Sequence, residues 1–253
     1  MKLLENLVYD PGTGVRGLYD MILPGEDGEP CEKLFLYIHG GGIENGRKED
    51  QRRQLTAVVE KEGCACVSVN YRMFPDGAKF PMFVEDCARA IHAVLTDGKQ
   101  HCDFKKLYVG GSSAGAYLSM MLFFNPDYLG VWGIKPSDID GWFFDAGQPT
   151  THFGILQRAG FDPLTVRIDE AAPLYYITKK YEHPETLPRL HFIWAEHDMR
   201  LRPEQNVLMV ETLLAFGYPK EKLTTQYMPG YSHCGYIGDG DTFVNMILDF
   251  LRT

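Results

Sequence analysis

Tyr108-Val-Gly-Gly-Ser-Ser-Ala-Gly-Ala116 is the stretch on which the fold turns. It continues the apolar run Lys106–Val109, which reads as a buried strand, and opens Ala114–Phe124, which reads as a helix. Inside it, Gly111-Ser112-Ser113-Ala114-Gly115 is a G-x-S-x-G pattern in strand–turn–helix context. A serine on so sharp a turn has strained backbone angles. The residues two before and two after it approach each other closely, so both need to be glycine. The strain lifts Ser113 Oγ above the sheet at a helix N-terminus, where the dipole favours developing negative charge. Ser112 is the competing serine in a shifted frame, but only Ser113 has glycine on both sides. A phosphate-binding turn is disfavoured, because neither G-x-x-x-x-G-K-[ST] nor G-x-G-x-x-G occurs.

Outward from this turn, short apolar runs alternate with helical patterns. Residues 15–23 and 33–38 read as early strands, followed by 64–69, 141–144, 190–194 and 223–227. Between them, residues 49–62, 83–95 and 203–217 repeat apolar side chains at helical spacing, with Pro203 in a first turn and Gly217 at a stop. A last helix carries Phe243, Ile247, Phe250 and Leu251. This alternation predicts βα units around a mostly parallel sheet with helices on both faces. No linker divides the chain, so residues 1–253 read as one domain. Residues 125–188 are rich in Pro, Gly and aromatics, and are expected to form a short lid or pocket-covering insertion.

Three further segments carry chemistry. The strand ending at Ile38 runs into His39-Gly40-Gly41-Gly42, which frees backbone N–H groups for close approach to an oxyanion; Ala114 N–H adds one more. His39, placed before the glycines, is expected to brace the loop rather than to act as a base. A serine nucleophile needs a base and an orienting carboxylate, in the chain order Ser, Asp/Glu, His. After the strand 190–194 comes Ala195-Glu-His-Asp-Met199, where Asp198 is the favoured acid and Glu196 and Asp145 the alternatives. After the last strand comes Met228-Pro-Gly-Tyr-Ser-His-Cys-Gly235, where His233 is the favoured base. His197 and Cys234 read as packing residues. No His/Cys/Asp/Glu spacing matches a metal site, so no metal is expected.

Composition narrows the rest. At 45% hydrophobic and 23% charged residues, the chain has a globular balance that excludes disorder. Its net charge of −9 opposes phosphate-neutralising nucleic-acid binding. No apolar stretch reaches the roughly 18 residues of a membrane span, and Glu5, Asn6 and Asp10 interrupt the N-terminus before signal-peptide length. The six cysteines show no disulfide framework in their spacing, so free thiols and a cytoplasmic location are expected.

Together, His39-Gly-Gly-Gly42, Asn70-Tyr-Arg-Met-Phe-Pro75, Gly111-Ser-Ser-Ala-Gly115, Asp198 and His233 resemble the α/β-hydrolase fold. Within it they are similar to hormone-sensitive-lipase-like carboxylesterases and their compact bacterial relatives, which act on acetyl and feruloyl esters. The resemblance spans roughly residues 30 to 253. It implies a cofactor-free catalytic triad of Ser113, Asp198 and His233, with an oxyanion hole from the N–H groups of Gly41, Gly42 and Ala114. It also implies that Asn70–Pro75 shapes the loop beside the glycines, with Arg72 structural. The N-terminal 30 residues lack the helical cap of larger members, and Ile43-Glu44-Asn45 follows where an aromatic is common. The expected activity is hydrolysis of small, short-acyl esters. The alternative is an arylformamidase on the same fold, and behind it a non-catalytic binding protein. The expected partner is a small-molecule ester, with self-association into a homo-oligomer left open.

Overall fold

The computed structural model describes residues 1–253. Its strands are β1 (Lys2–Val8), β2 (Leu18–Leu23), β3 (Cys31–Ile38), β4 (Ala65–Val69), β5 (Phe104–Ser112), β6 (Gly141–Asp145), β7 (Arg189–His197) and β8 (Leu223–Ser232). Its helices are α1 (Arg52–Glu62), α2 (Met82–Thr96), α3 (Ala114–Phe124), α4 (Asp127–Gly130), α5 (Phe153–Arg158), α6 (Arg202–Ala215) and α7 (Thr242–Arg252). The strands form one eight-stranded sheet in the order β1-β2-β4-β3-β5-β6-β7-β8. It is antiparallel where β1 pairs β2 and β2 pairs β4, and parallel from β4 through β8.

The near-continuous apolar strands follow from burial on both faces. Leu34, Leu36 and Ile38 of β3 join one core with α2, α3 and α6. Phe35 and Tyr37 of the same strand point the other way, into a second core with α1 and α7. Every residue of α3 is buried, as a helix apolar on all sides must be. That helix projects from the sheet centre, so the turn carrying Ser113 is held by both neighbouring strands. None of the helices is long and apolar enough to cross a membrane.

The structure departs from the sequence reading in several places. Residues 15–17 are not strand: Pro11–Gly17 forms a 3₁₀ turn, started by the Asp10 side chain accepting the Gly12 N–H. Strand β8 continues past residue 227 to Ser232, through Pro229 and Gly230. As the sheet's outer strand it tolerates a missing N–H donor. Cys31 and Cys102 form a disulfide, with Cα atoms 6.2 Å apart, which corrects the expectation that all six thiols are free. Cys31 pairs in register with Phe104 across β3 and β5, so the two cysteines meet through strand adjacency that no spacing encodes.

Two glycines that flank the serine turn make the site geometry achievable. A β-carbon at Gly115 would overlap the carbonyl oxygens of Ile38 and His39, and one at Gly111 would overlap Ile38 and Gly115. We expect Gly115→Ala to lower unfolding stability by about 1–3 kcal/mol, through overpacking. Gly130→Ala, where a β-carbon meets nothing within 4 Å, should leave stability unchanged or slightly raised. Urea midpoints of the two variants check the contrast.

Candidate active site

Ser113 sits at φ 55° and ψ −114°, a left-handed conformation that side chains seldom adopt. The strain is held on two sides: its N–H donates to the Asp145 carbonyl at 2.7 Å, and the glycines flanking it clear the end of β3. Its hydroxyl donates to His233 Nε2 at 2.8 Å. His233 Nδ1–H in turn donates to Asp198 Oδ1 at 2.5 Å. The Asp198 carboxylate is fully buried and also accepts the Met199 N–H at 2.6 Å. The three side chains come from loops after β5, β7 and β8, and the fold brings them into one chain of hydrogen bonds.

The glycine loop lies beside them. Gly41 and Gly42 have φ of 99° and 66°, and their N–H groups, with that of Ala114, donate to no group of the protein. Gly40 is pressed against the serine turn: a β-carbon there would stand 2.9 Å from the Ser112 carbonyl oxygen. His39 is buried and stacks on Tyr71 with ring centroids 4.4 Å apart. Its Nδ1–H donates to the Gly40 carbonyl at 2.8 Å, so it braces the loop and does not reach Ser113. The Tyr71 hydroxyl donates to the His39 carbonyl at 3.0 Å, and Phe74 N–H to Ile43 at 3.0 Å. Arg72 grips the buried Asp86 with two guanidinium nitrogens, at 2.8 and 2.5 Å. Asn70–Pro75 thus forms the scaffold under the glycines.

The competing acids have other partners. Glu196 accepts the Gly230 N–H at 2.8 Å and points outward. Asp145 is fully buried and accepts hydroxyl protons from Ser112, at 2.5 Å, and from Tyr236. Ser112 therefore points away from His233. Cys234 is not a reactive thiolate: burial first, then Asp145 and Asp198, push its thiol well up. His197 reaches only toward Glu196, at 3.9 Å on the surface. Tyr236 escaped the sequence reading; a tyrosine three residues past the base carried no distinguishing signal.

A cavity of about 400 Å³ opens over Ser113 and His233. Gly41, Gly42, Phe153 and Met199 line it, and so do Asn45, Asp50 and Gln51; it holds no lysine or arginine. Of the aromatics in residues 125–188, Phe153 alone lines this cavity. Trp132 instead stacks on His92, with centroids 4.5 Å apart. Phe161 and Tyr175 are exposed, and Tyr176 lines a separate cavity with Phe123, Phe124 and residues 177–183. Within the segment, Phe153 of α5 reaches this cavity, and Pro163, Leu164 and Thr165 line an adjoining one that shares Phe153 and Met199.

Residues 35–127 match the family model described as alpha/beta hydrolase fold. Tuliposide A-converting enzyme 2 of Tulipa gesneriana is 33% identical over 124 residues, covering 44% of this chain and 32% of its own. Probable carboxylesterase 1 of Arabidopsis thaliana is 34% identical over 105 residues, covering 37% and 33%. The chain thus spans about a third of the length of these curated relatives. Whole-chain similarity is found among solved structures. Esterase B of Lactobacillus rhamnosis superposes with a TM-score of 0.77 at 15% identity, covering 99% of this chain and 84% of its own. A carbohydrate esterase from gut microbiota gives 0.73 at 20% identity, covering 100% and 96%. The chain has the fold of the α/β hydrolases. Its relatives and structural neighbours include carboxylesterases and esterases.

Two outcomes follow from the geometry. Ser113→Ala should lower kcat about 10⁴-fold or more with the fold intact, whereas Glu196→Gln should change it little; Asp198→Asn should fall by about 10³–10⁴. Steady-state kinetics with a soluble ester checks all three. Stability should also fall on acidification. Burial holds His39 and His191 down at about 4 and His152 well below its usual range. These rings stay neutral in the folded chain while the unfolded chain protonates, so their contribution is present above about pH 6.5 and is lost as pH falls toward 4. Asp145, raised to about 6 chiefly by burial, works in the opposite sense between about 4 and 6. With three groups against one, urea midpoints should drop from pH 7 to pH 5, and His39→Asn should flatten part of that slope.

Proposed function

We propose that the chain is a serine esterase that hydrolyses small, short-acyl esters through an acyl-enzyme, using its own residues alone. The observation that carries this is the continuous hydrogen-bond chain from Ser113 through His233 to Asp198, placed beside three backbone N–H groups without acceptors. Ser113 Oγ attacks the ester carbonyl carbon while His233 Nε2 takes its proton. Asp198 keeps Nδ1 protonated and offsets the imidazolium charge. The N–H groups of Gly41, Gly42 and Ala114 hold the oxyanion, aimed by the strained loop before the charge develops. As the carbon–oxygen bond to the alcohol breaks, His233 returns the proton to the leaving oxygen. Water, deprotonated by His233, then attacks the acyl-serine, and the acid leaves.

The cavity supports the substrate class. Phe153 stands against Gly42, with its ring edge 3.3 Å from where a β-carbon would project, and closes one wall close to the reacting centre. Each further buried CH₂ is worth only about 0.8 kcal/mol, and the wall leaves little apolar surface for it. The polar wall of Asn45, Asp50 and Gln51, without a basic side chain, suits an uncharged alcohol better than an anionic one. That favours a simple ester over formylkynurenine, which carries a carboxylate. Among structural neighbours, one is titled a carbohydrate esterase, and another, from Thermogutta terrifontis, carries bound propionate, which is in line with a small acyl group.

The test is a chain-length series of nitrophenyl esters alongside acetylated sugars and formylkynurenine. We expect kcat/KM to peak between acetyl and butyryl and to fall at least about tenfold by octanoyl. A maximum at octanoyl or beyond would replace this reading with a lipase-like one, and preferred turnover of formylkynurenine with an amidase.

A further inference from the structure

We infer that Asp145 is a positioning residue that ties the nucleophile turn to the base loop and sets the distance between them; this rests on the serine-esterase reading above. Three of its atoms are engaged in this role. Its backbone carbonyl accepts the Ser113 N–H at 2.7 Å. One carboxylate oxygen accepts the hydroxyl of Ser112, the neighbour of the nucleophile, at 2.5 Å. The other accepts the hydroxyl of Tyr236, three residues past the base. Tyr236 is itself fully buried and lies in the 3₁₀ turn Gly235–Gly238, which closes the loop that presents His233. A residue at the end of β6 therefore grips both sides of the proton transfer without touching either reacting atom.

Packing alone gives no reason for a carboxylate here. Asp145 is 0% exposed and faces no cation within ion-pairing distance. Burying an unpaired charge is unfavourable unless donors compensate it. The groups around it are Tyr37 from β3, Ser112 from β5, Asp198 from the loop after β7, and His233, Cys234 and Tyr236 after β8. Only His233 among them can become cationic during turnover. The carboxylate thus holds geometry through its two hydroxyl donors and favours the transient imidazolium by its charge. Its own raised ionisation, at about 6, means that the tie carries full charge only above that range.

The experiment measures kcat, KM and the pH profile of kcat/KM for nitrophenyl acetate with Asp145→Asn, Tyr236→Phe, Ser112→Ala and the Ser112→Ala/Tyr236→Phe double variant, with thermal melts of each. Asp145→Asn should lower kcat about 10–100-fold with KM within about threefold, because misplacement of about 1 Å costs that much. Its acidic limb should move to lower pH by about half a unit or more and become shallower, because His233 loses an anionic neighbour and a second ionisation disappears. Tyr236→Phe and Ser112→Ala remove one hydroxyl each and keep the test open should Asp145→Asn fail to fold. The double variant should lose less than the product of the singles, since both act through one carboxylate. Unchanged kcat in the folded variants, losses that multiply, or a fall in kcat with an unmoved acidic limb would overturn the inference. Activity surviving in Ser113→Ala would instead overturn the triad reading, whatever Asp145 does.

Discussion

The whole arrangement depends on the close approach of two backbones at the centre of the sheet. The end of β3 and the first turn of α3 pass so near that only hydrogen atoms fit between them, at Gly111 and Gly115. That contact forces Ser113 into its left-handed conformation and points its hydroxyl out of the sheet edge. It also brings the glycine loop that leaves β3 to the side of the serine turn. The Ser113 hydroxyl and the free N–H groups of Gly41 and Gly42 are thus placed side by side by one steric constraint. The strain is sustained because α3 is buried along its whole length and cannot relax outward.

Around this point, charged groups act as pins more than as sources of stability. Lys48, in the loop that follows the glycines, pairs at 2.7 Å with Asp20 of β2, both buried; Arg52 of α1 reaches the same carboxylate at 2.8 Å. Arg72 and Asp86 do the same between the loop after β4 and α2. Taking such charges out of water offsets most of their attraction. Their effect is to fix which backbone lies where. The loops that frame the cavity are accordingly anchored to the sheet and to α1 and α2.

The centre of this architecture was legible from the chain because its constraints are local. G-x-S-x-G needs its glycines within five residues, and the apolar runs of β3, β5 and β7 are continuous because both of their faces are covered. Asp198 and His233 were legible from their places after successive strands. The edges were less so. Strand β1 has only Leu4 and Leu7 packed on the core, so it shows no alternation strong enough to read. The turn at Pro11–Gly17 looked like the start of β2 because Val15 is apolar, yet that side chain is exposed. The roles of Asp145 and Tyr236, and the pairing of Cys31 with Cys102, are products of strand order. Each joins residues 71 to 91 positions apart, and nothing in the local sequence marks them. The aromatics of residues 125–188 are similarly silent on placement: ring content says that a segment packs, but not on which side of the sheet.

The spread of the reacting side chains along the chain has a temporal consequence. His233 is 120 residues from Ser113 and 35 from Asp198, and it is carried by the outermost parallel strand. The nucleophile turn can form once β3, β5 and β6 are in place, but its base arrives only when β7 and β8 have added to the growing sheet. Until then Ser113 is an ordinary alcohol, with no group to take its proton. On the proposed serine-esterase reading, turnover therefore requires the last parallel pairing, which brings His233 to Ser113. On that reading, reactivity is a readout of topological completion: a sheet without β7 and β8 holds the serine but not its base.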